Sequence, residues 1–193
     1  MKKSESGRSL VEMLLVVAIV GSGVVTAVPA LRAYGVESHI VGAGKIFKEE
    51  FWKARSTAVR LGVQTAIRFE DLDEAASFSV YADGNDNGVR AADIRAGIDR
   101  RVAGPFPLFG HAPGVRIGIN PNVPAIPPAT GTLDDEDPIR FGTSDMLSFS
   151  PLGTCTPGTF YIAGEGVQAA VRVTAGTSRV RMLLNRGKRW VER

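Results

Sequence analysis

Residues 7–21, GRSLVEMLLVVAIVG, begin the main apolar run of the chain. The run continues to residue 28 and is interrupted mainly by Glu12, Ser22 and Thr26. A helix rises about 1.5 Å per residue, so about 20 apolar residues cross a hydrocarbon core of about 30 Å. The pattern therefore predicts a transmembrane helix over 8–35. Lys2 and Lys3 precede it, and the positive-inside rule then predicts a cytoplasmic start of the chain.

A secretory signal peptide is the main alternative, because it also combines a basic start with an apolar stretch. Its apolar core is usually about 7–15 residues long and is followed by a cleavage site of small residues. The run here is longer, and no A-x-A site follows it. Glu12 also argues against a plain anchor, because an ionisable group inside a spanning helix costs roughly 2.5–3.5 kcal/mol and indicates a function.

The same residues resemble the N-terminus of type IV prepilins. In that family a prepilin peptidase cleaves after a glycine and a glutamate follows as the fifth mature residue. Gly7 and Glu12 match these positions. Arg8 would become the first mature residue, where the family usually has an N-methylated phenylalanine. The resemblance implies a leader at 1–7, a helix kink at Pro29, and a Glu12 carboxylate that neutralises the N-terminal amine of a neighbouring subunit.

An apolar stripe of helical period follows the run, at intervals of three and four residues. It comprises Ile40, Ala43, Phe47, Phe51, Ala54, Ala58 and Leu61. Gly62 is a helix-terminating residue, whereas Gly42 and Gly44 indicate a bend near the start. Short β-branched or aromatic runs after it predict strands at 63–69, 78–82, 115–119, 146–149, 159–162, 169–173 and 179–184. The predicted fold class is α+β, a long N-terminal transmembrane and amphipathic helix packed on a small antiparallel sheet domain.

Two further segments resemble one branch of the pilin-like proteins in particular. Residues 54–62, ARSTAVRLG, and 147–153, LSFSPLG, are similar to signatures of the GspH/FimT family of minor pseudopilins. The implied domains are a leader at 1–7, an assembly helix at 8–35 and a pilin-like domain at 36–193. Within that domain, residues 104–138 contain eight of the eleven prolines and an acidic run at 134–137. They predict a long surface excursion.

Composition argues against most catalytic and metal-binding classes. The 193 residues carry a net charge of +3 and include one cysteine, Cys155, and two histidines, His39 and His111. These are too few for a disulfide framework or a structural zinc site, and no nucleophile motif is visible. We therefore predict no enzyme activity and no cofactor.

Asp83, Asn85 and Asn87 are a weak calcium candidate, because they place oxygen ligands at alternate positions before Gly88. The twelfth position of such a loop would be Ile94 instead of a bidentate acid. A turn rich in glycine and asparagine is the favoured interpretation.

The C-terminal residues are strongly basic. From residue 172 onward, seven basic residues oppose Glu192 alone, so this part carries +6 and the remainder −3. The candidate DNA contacts are Arg179, Arg181, Arg186, Lys188 and Arg189. Arg179 and Arg181 match part of a motif that the DNA-binding minor pilins of this family carry. The alternative is that alternating arginines protect the solvent face of an edge strand.

These observations predict a minor pseudopilin, a non-catalytic subunit of a type II secretion pseudopilus or a type IV pilus. Expected partners are other pilins or pseudopilins through the N-terminal helix, prepilin peptidase, the inner membrane and, in the second hypothesis, DNA. The expected localisation is a single-pass bacterial inner-membrane protein with a periplasmic domain, later incorporated into the fibre. The alternative functions are a DNA-binding minor pilin acting in DNA uptake, and a single-span periplasmic protein unrelated to pili.

Overall fold

The computed structural model describes residues 10–70, 76–110, 112, 114–175, 178–187 and 189–193, without the side chains of 26, 28–30, 32 and 33. The chain divides into two compact units, Met1–Gly35 and Val36–Arg193. The predicted cleavage site, Gly7 and Arg8, lies outside the described residues.

In the described ranges, the helices and strands follow one another as a long helix, two strands, a short helix and eight more strands. They are α1 (Leu10–Leu61), β1 (Thr65–Glu70), β2 (Ser77–Ala82), α2 (Ala91–Ala96), β3 (Arg100–Pro107), β4 (Arg116–Ile117), β5 (Ile139–Arg140), β6 (Met146–Phe149), β7 (Gly158–Gly164), β8 (Val167–Thr174), β9 (Arg179–Asn185) and β10 (Trp190–Glu192).

The strands form two antiparallel sheets. The first has the order β3-β2-β1-β6, and the second has the order β10-β9-β8-β7-β4 with β5 also paired to β7. The second sheet is built on the β7–β8 hairpin, whose register places Gly158 opposite Val173 and Gly164 opposite Val167. Its side chains alternate, so that one face of each strand joins the main core and the other face points away. We call this second face the outer face of the second sheet.

The main core joins the second unit's part of α1 to both sheets. Ile40, Phe47 and Phe51 of α1 are fully buried. They belong to one cluster with residues from all the larger strands, including Ile67, Phe78, Phe149, Phe160 and Val171. The predicted stripe is therefore confirmed from Ile40 to Ala58, whereas Leu61 is 48% exposed.

The end of α1 and the positions of the larger strands agree with those predicted from the sequence. Gly62 has φ +70 and donates its N–H to the Ala58 carbonyl, which is the left-handed helix end that glycine favours. All seven predicted strands are confirmed in place, with small shifts at their ends. α1 continues through Gly42 and Gly44 without interruption, and the bend there stays a prediction.

The predicted membrane span requires a correction. In the described part of the chain, no helix combines the length and the apolarity that crossing a membrane requires. This finding overturns the transmembrane helix over 8–35 and the single-pass inner-membrane localisation.

The predicted small sheet and surface excursion also differ from the structure. The predicted small antiparallel sheet domain consists of two sheets, with four strands on the path of the first and six strands in the second. Residues 104–138 include part of β3, the whole of β4 and several buried apolar residues. Ile119, Val123 and Ile126 pack against Tyr161 and Ala170 on the outer face of the second sheet. The segment is therefore partly buried, because its apolar residues cover a sheet face that would otherwise meet water.

Candidate functional site

The predicted assembly segment has exposed apolar side chains in its described part. Eleven large apolar residues between Leu10 and Val25 are each more than half exposed, among them Leu10 at 75% and Val17 at 66%. Glu12 is exposed in the same segment. Pro29 lies within the bounds of α1, but its side chain lies outside the described part, so the helix kink stays a prediction.

The structure places Arg179 and Arg181 together on the outer face of the second sheet. Both alternate with Val180 and Met182, which pack against the core. Both side chains approach Glu192 on the neighbouring β10, at 3.4 Å from Arg179 and 3.8 Å from Arg181. The Glu192 carboxylate therefore neutralises part of the positive charge of these two candidate DNA contacts.

The strand register places further arginines on the same face. Arg172 of β8 lies opposite Arg181, and Thr159 of β7 lies opposite Arg172. Arg140 of β5 lies opposite Thr159 and is 5.3 Å from the centre of the Tyr161 ring. Arg140, Thr159, Arg172 and Arg181 thus form one row across four strands. Arg172 belongs to the basic tail of the sequence, whereas Arg140 could not be predicted as its neighbour, because no local pattern indicates that β5 pairs with β7.

Arg186 and Arg189 lie apart from this row. Two guanidinium nitrogens of Arg186 donate to the Glu37 carboxylate of α1 at 2.6–2.9 Å, and Arg193 approaches the same carboxylate at 3.2 Å. Arg186, Arg189 and Arg193 line a cavity of about 270 Å³ with Leu184 and Val191. Lys188 lies outside the described residues. The four candidate DNA contacts that the structure describes therefore do not form one surface.

The contact between Glu37 and Arg186 should make stability sensitive to acid. The hydrogen bonds from Arg186 hold the pKa of Glu37 below its ordinary value, with further lowering by the charges of Arg186 and Arg193. A carboxylate with a lowered pKa stabilises the fold above its unfolded pKa, and this contribution disappears as pH falls through the folded pKa. As pH falls below the lowered pKa of Glu37, we expect Glu37→Gln and the unsubstituted chain to converge in the free energy of unfolding. At pH 7 the variant should be less stable by about 0.5–1 kcal/mol.

Urea unfolding at pH 7 and pH 3 measures this difference. Glu136→Gln, which removes an exposed carboxylate from the loop before β5, is the matched control and should show no such pH-dependent difference. An equal loss of stability in the Glu37 variant at both pH values would contradict the ion-pair explanation.

The calcium candidate forms a hydrogen-bonded turn. The carboxylate of Asp83, 6% exposed, accepts the backbone N–H groups of Asn85 and Gly88 at 3.0 and 2.7 Å. The Asn87 amide donates to Asp93 at 3.1 Å. Within the described ranges, no three His, Cys, Asp or Glu side chains group so as to hold a metal ion. The local hydrogen bonds therefore account for these residues as a turn.

Cys155 and the histidines are not brought together in the described residues. Cys155 is buried, and its thiol lies 3.5 Å from the hydroxyl of Ser178. His39 is exposed on α1, and His111 lies outside the described residues. The prediction that the chain has no catalytic role stays a prediction.

Comparisons with known proteins do not identify a relative: no protein-family model matches the chain, and no match was found among curated proteins or solved structures. The resemblance to minor pseudopilins thus stays a hypothesis based on the sequence motifs.

Proposed function

We propose that the chain is a minor pseudopilin, a non-catalytic structural subunit that assembles into a fibre through residues 10–25 of α1. The exposed apolar side chains of this segment carry the proposal. An apolar surface of this extent marks an interaction site, because each buried side chain contributes about 1.5–3 kcal/mol. Packing between helices of neighbouring subunits would bury them. The fibre class, a type II secretion pseudopilus or a type IV pilus, follows from the resemblance of the N-terminal motifs.

Photo-cross-linking within the assembled fibre tests this proposal. A cross-linking residue at Val17, 66% exposed, should capture the N-terminal helix of a neighbouring subunit. The same cross-linking residue at position 98 is the matched control, because Ile98 is 41% exposed and lies just after α2. It should capture much less of a neighbouring subunit. Equal capture from both positions would contradict assembly through residues 10–25.

DNA binding through the outer face of the second sheet is the second candidate function. The row formed by Arg140, Arg172 and Arg181, with Arg179 beside it, favours this candidate. Arg172 and Arg181 lie on adjacent strands, which are about 5 Å apart, and Arg140 lies two strands from Arg172, so their guanidinium groups can contact the phosphate backbone from one face. Glu192 opposes such binding, because it pairs with two of these groups.

Two variants with opposite expected effects test the second candidate. Arg179→Ala combined with Arg181→Ala should weaken binding to a random-sequence duplex and lower the salt slope by about 0.9 for each lost phosphate contact. Glu192→Gln should strengthen binding, because it removes a competing carboxylate. Affinity across a salt series is the measurement. Arg100→Ala with Arg101→Ala, exposed on β3 of the first sheet, is the control of equal charge. Equal weakening of DNA binding in both double variants would show that the effect depends on net charge alone. It would reject a specific site on the outer face.

A further inference from the structure

A groove with three arginines lies along β10, on the core-facing side of the second sheet. Val191 of β10 is opposite Leu184 of β9, and Leu184 packs in the main core. Arg189 and Arg193 flank Val191 at alternate positions and share its side of the strand. Together with Arg186 these residues line the cavity of about 270 Å³. We call this cavity the arginine groove.

The arginine groove has more positive charge than its own carboxylate neutralises. Glu37 of α1 pairs with Arg186 at 2.6 Å and with Arg193 at 3.2 Å. Arg189 is exposed and has no ion-pair partner among the described residues. Three guanidinium groups therefore oppose one carboxylate, which leaves a local charge of +2. Because Val191 is 54% exposed beside them, the groove suits a partner with several carboxylates and some apolar surface.

The position of β10 leaves the arginine groove open from the side. Among the described strands, β10 is at the edge of the second sheet and pairs with β9 alone. The Arg193 N–H donates to the Met182 carbonyl, so the alternating antiparallel pattern directs the N–H and C=O of Glu192 away from β9. Such an edge accepts another chain without displacing a strand.

The opposite edge of the same sheet has the complementary charge. Residues 134–137, DDED, are all exposed and come shortly before β5, and we call them the acidic loop. Arg140 donates to the backbone carbonyls of Asp134 and Asp137 at 2.8 and 2.9 Å, which holds the loop in shape. Within the described ranges, Asp137 alone among the four acids has an ion pair, at 3.6 Å from Arg140. Three carboxylates of the acidic loop therefore have no charged partner among the described residues.

The arginine groove and the acidic loop cannot meet within one chain. β7, β8 and β9 separate β5 from β10, so four strand spacings of about 4.8 Å place them about 19 Å apart. Between two copies, however, the two edges can meet. We infer that the arginine groove binds the acidic loop of a second copy of this chain, with Arg189 and Arg193 facing its carboxylates. This contact joins different surfaces of the two subunits, so it can repeat along a fibre, and it does not depend on residues 10–25.

DNA is a less suitable occupant of the arginine groove. The groove lies on the core-facing side of the sheet, whereas Arg179 and Arg181 lie on the outer face, so these arginines do not present one surface to a duplex. A phosphate backbone would also leave Val191 exposed. The acidic loop is flanked by Leu133 and Pro138, which are half-buried and add apolar surface to its carboxylates.

Photo-cross-linking of the full chain, kept in dodecyl maltoside micelles that cover residues 10–25, tests this contact. A photo-reactive residue at Val191 should capture a second copy, and mass spectrometry should map the cross-link to residues 133–138. Raising the salt from about 0.05 to about 0.5 M should lower the capture, because ions screen contacts between exposed charges. A random-sequence DNA duplex is added in a parallel sample.

Charge reversal identifies the two sides of the contact. Arg189→Glu in the chain with the photo-reactive residue should lower the capture at least about tenfold, because like charges then face each other. Asp135→Arg in the captured chain, which is labelled with nitrogen-15, should restore the capture by the Arg189→Glu chain. Arg100→Glu makes the same charge change at an exposed position on β3 of the first sheet and should leave the capture unchanged.

Restored capture in the reciprocal pair of variants supports the contact. Capture of a second copy outside residues 133–138, no capture, or equal losses from Arg189→Glu and Arg100→Glu would overturn it. Cross-links from Val191 to the duplex in place of a second copy would assign the groove to DNA and also overturn it. The Val17 cross-link in fibres is a separate measurement, so failure of the loop contact and failure of assembly through residues 10–25 are distinguishable.

Discussion

Replacing Phe47 with alanine is expected to lower the free energy of unfolding by about 3–5 kcal/mol. The Phe47 ring is fully buried, and its centre lies 4.6 Å from that of Phe160, 5.9 Å from Phe69 and 5.8 Å from Phe78. These partners belong to β7, β1 and β2, so one side chain connects α1 to both sheets. Its removal leaves a cavity that the surrounding rings cannot fill without moving. Urea unfolding followed by circular dichroism measures the loss, which is large against a typical total of about 5–15 kcal/mol.

Leu61→Ala is the matched control on the same helix. The sequence pattern places Leu61 in the same apolar stripe as Phe47, but its side chain is 48% exposed in the last turn of α1. We expect a loss below about 1 kcal/mol, because little apolar area leaves the core. A loss as large as that of Phe47→Ala would mean that the end of α1 is buried and that this packing is wrong.

The sequence was sufficient to predict elements whose signal is local. The stripe from Ile40 to Ala58 repeats at helical spacing, and Gly62 supplies the left-handed residue that ends the helix. In β8, Val171 and Val173 alternate with Arg172 and Thr174, so the strand period was visible there as well. In each case the burial of a side chain depends on its place in a regular repeat. A single sequence contains all the information about such a repeat.

β3 was missed because its residues indicate a loop. It contains Gly104, Pro105 and Pro107, and prolines remove donors from a sheet ladder. The strand is tolerated because it lies at the edge of the first sheet and, among the described strands, pairs with β2 alone. An edge strand needs donors on one side only, so proline is acceptable there. The edge position is a property of the sheet order, which the local sequence does not contain.

The candidate site also combines a feature with a local sequence signal and features that depend on tertiary packing. The alternation of Arg179 and Arg181 was visible in the sequence, and the structure places both on one face. Their partner Glu192 is separated by a turn, and Glu37 lies 149 residues from Arg186. Such ion pairs depend on tertiary packing and leave no periodic signal. The division of the basic tail into two surfaces therefore could not be predicted from the spacing of its charges.

Replacing Glu12 with alanine is expected to abolish assembly under the proposed function. Glu12 is the one acidic residue among the exposed apolar side chains of residues 10–25. Packing these side chains between helices would bury its carboxylate, which then requires a positive partner. The resemblance to prepilins supplies that partner as the N-terminal amine of a neighbouring subunit. Removing one member of a buried ion pair costs about 3–5 kcal/mol, which corresponds to a reduction in incorporation of more than about a hundredfold.

The fraction of subunits incorporated into fibres is the measurement, with Val17 cross-linking as an independent readout. Glu12→Gln keeps the size and removes only the charge, so it should fail to assemble to a similar degree. Glu49→Gln removes an exposed carboxylate farther along α1 and is the matched control, with normal incorporation expected. If the Glu12→Gln and Glu49→Gln variants assemble equally well, the Glu12 carboxylate has no role in subunit contact. Assembly would then depend on the apolar side chains alone, because these are unchanged in both variants.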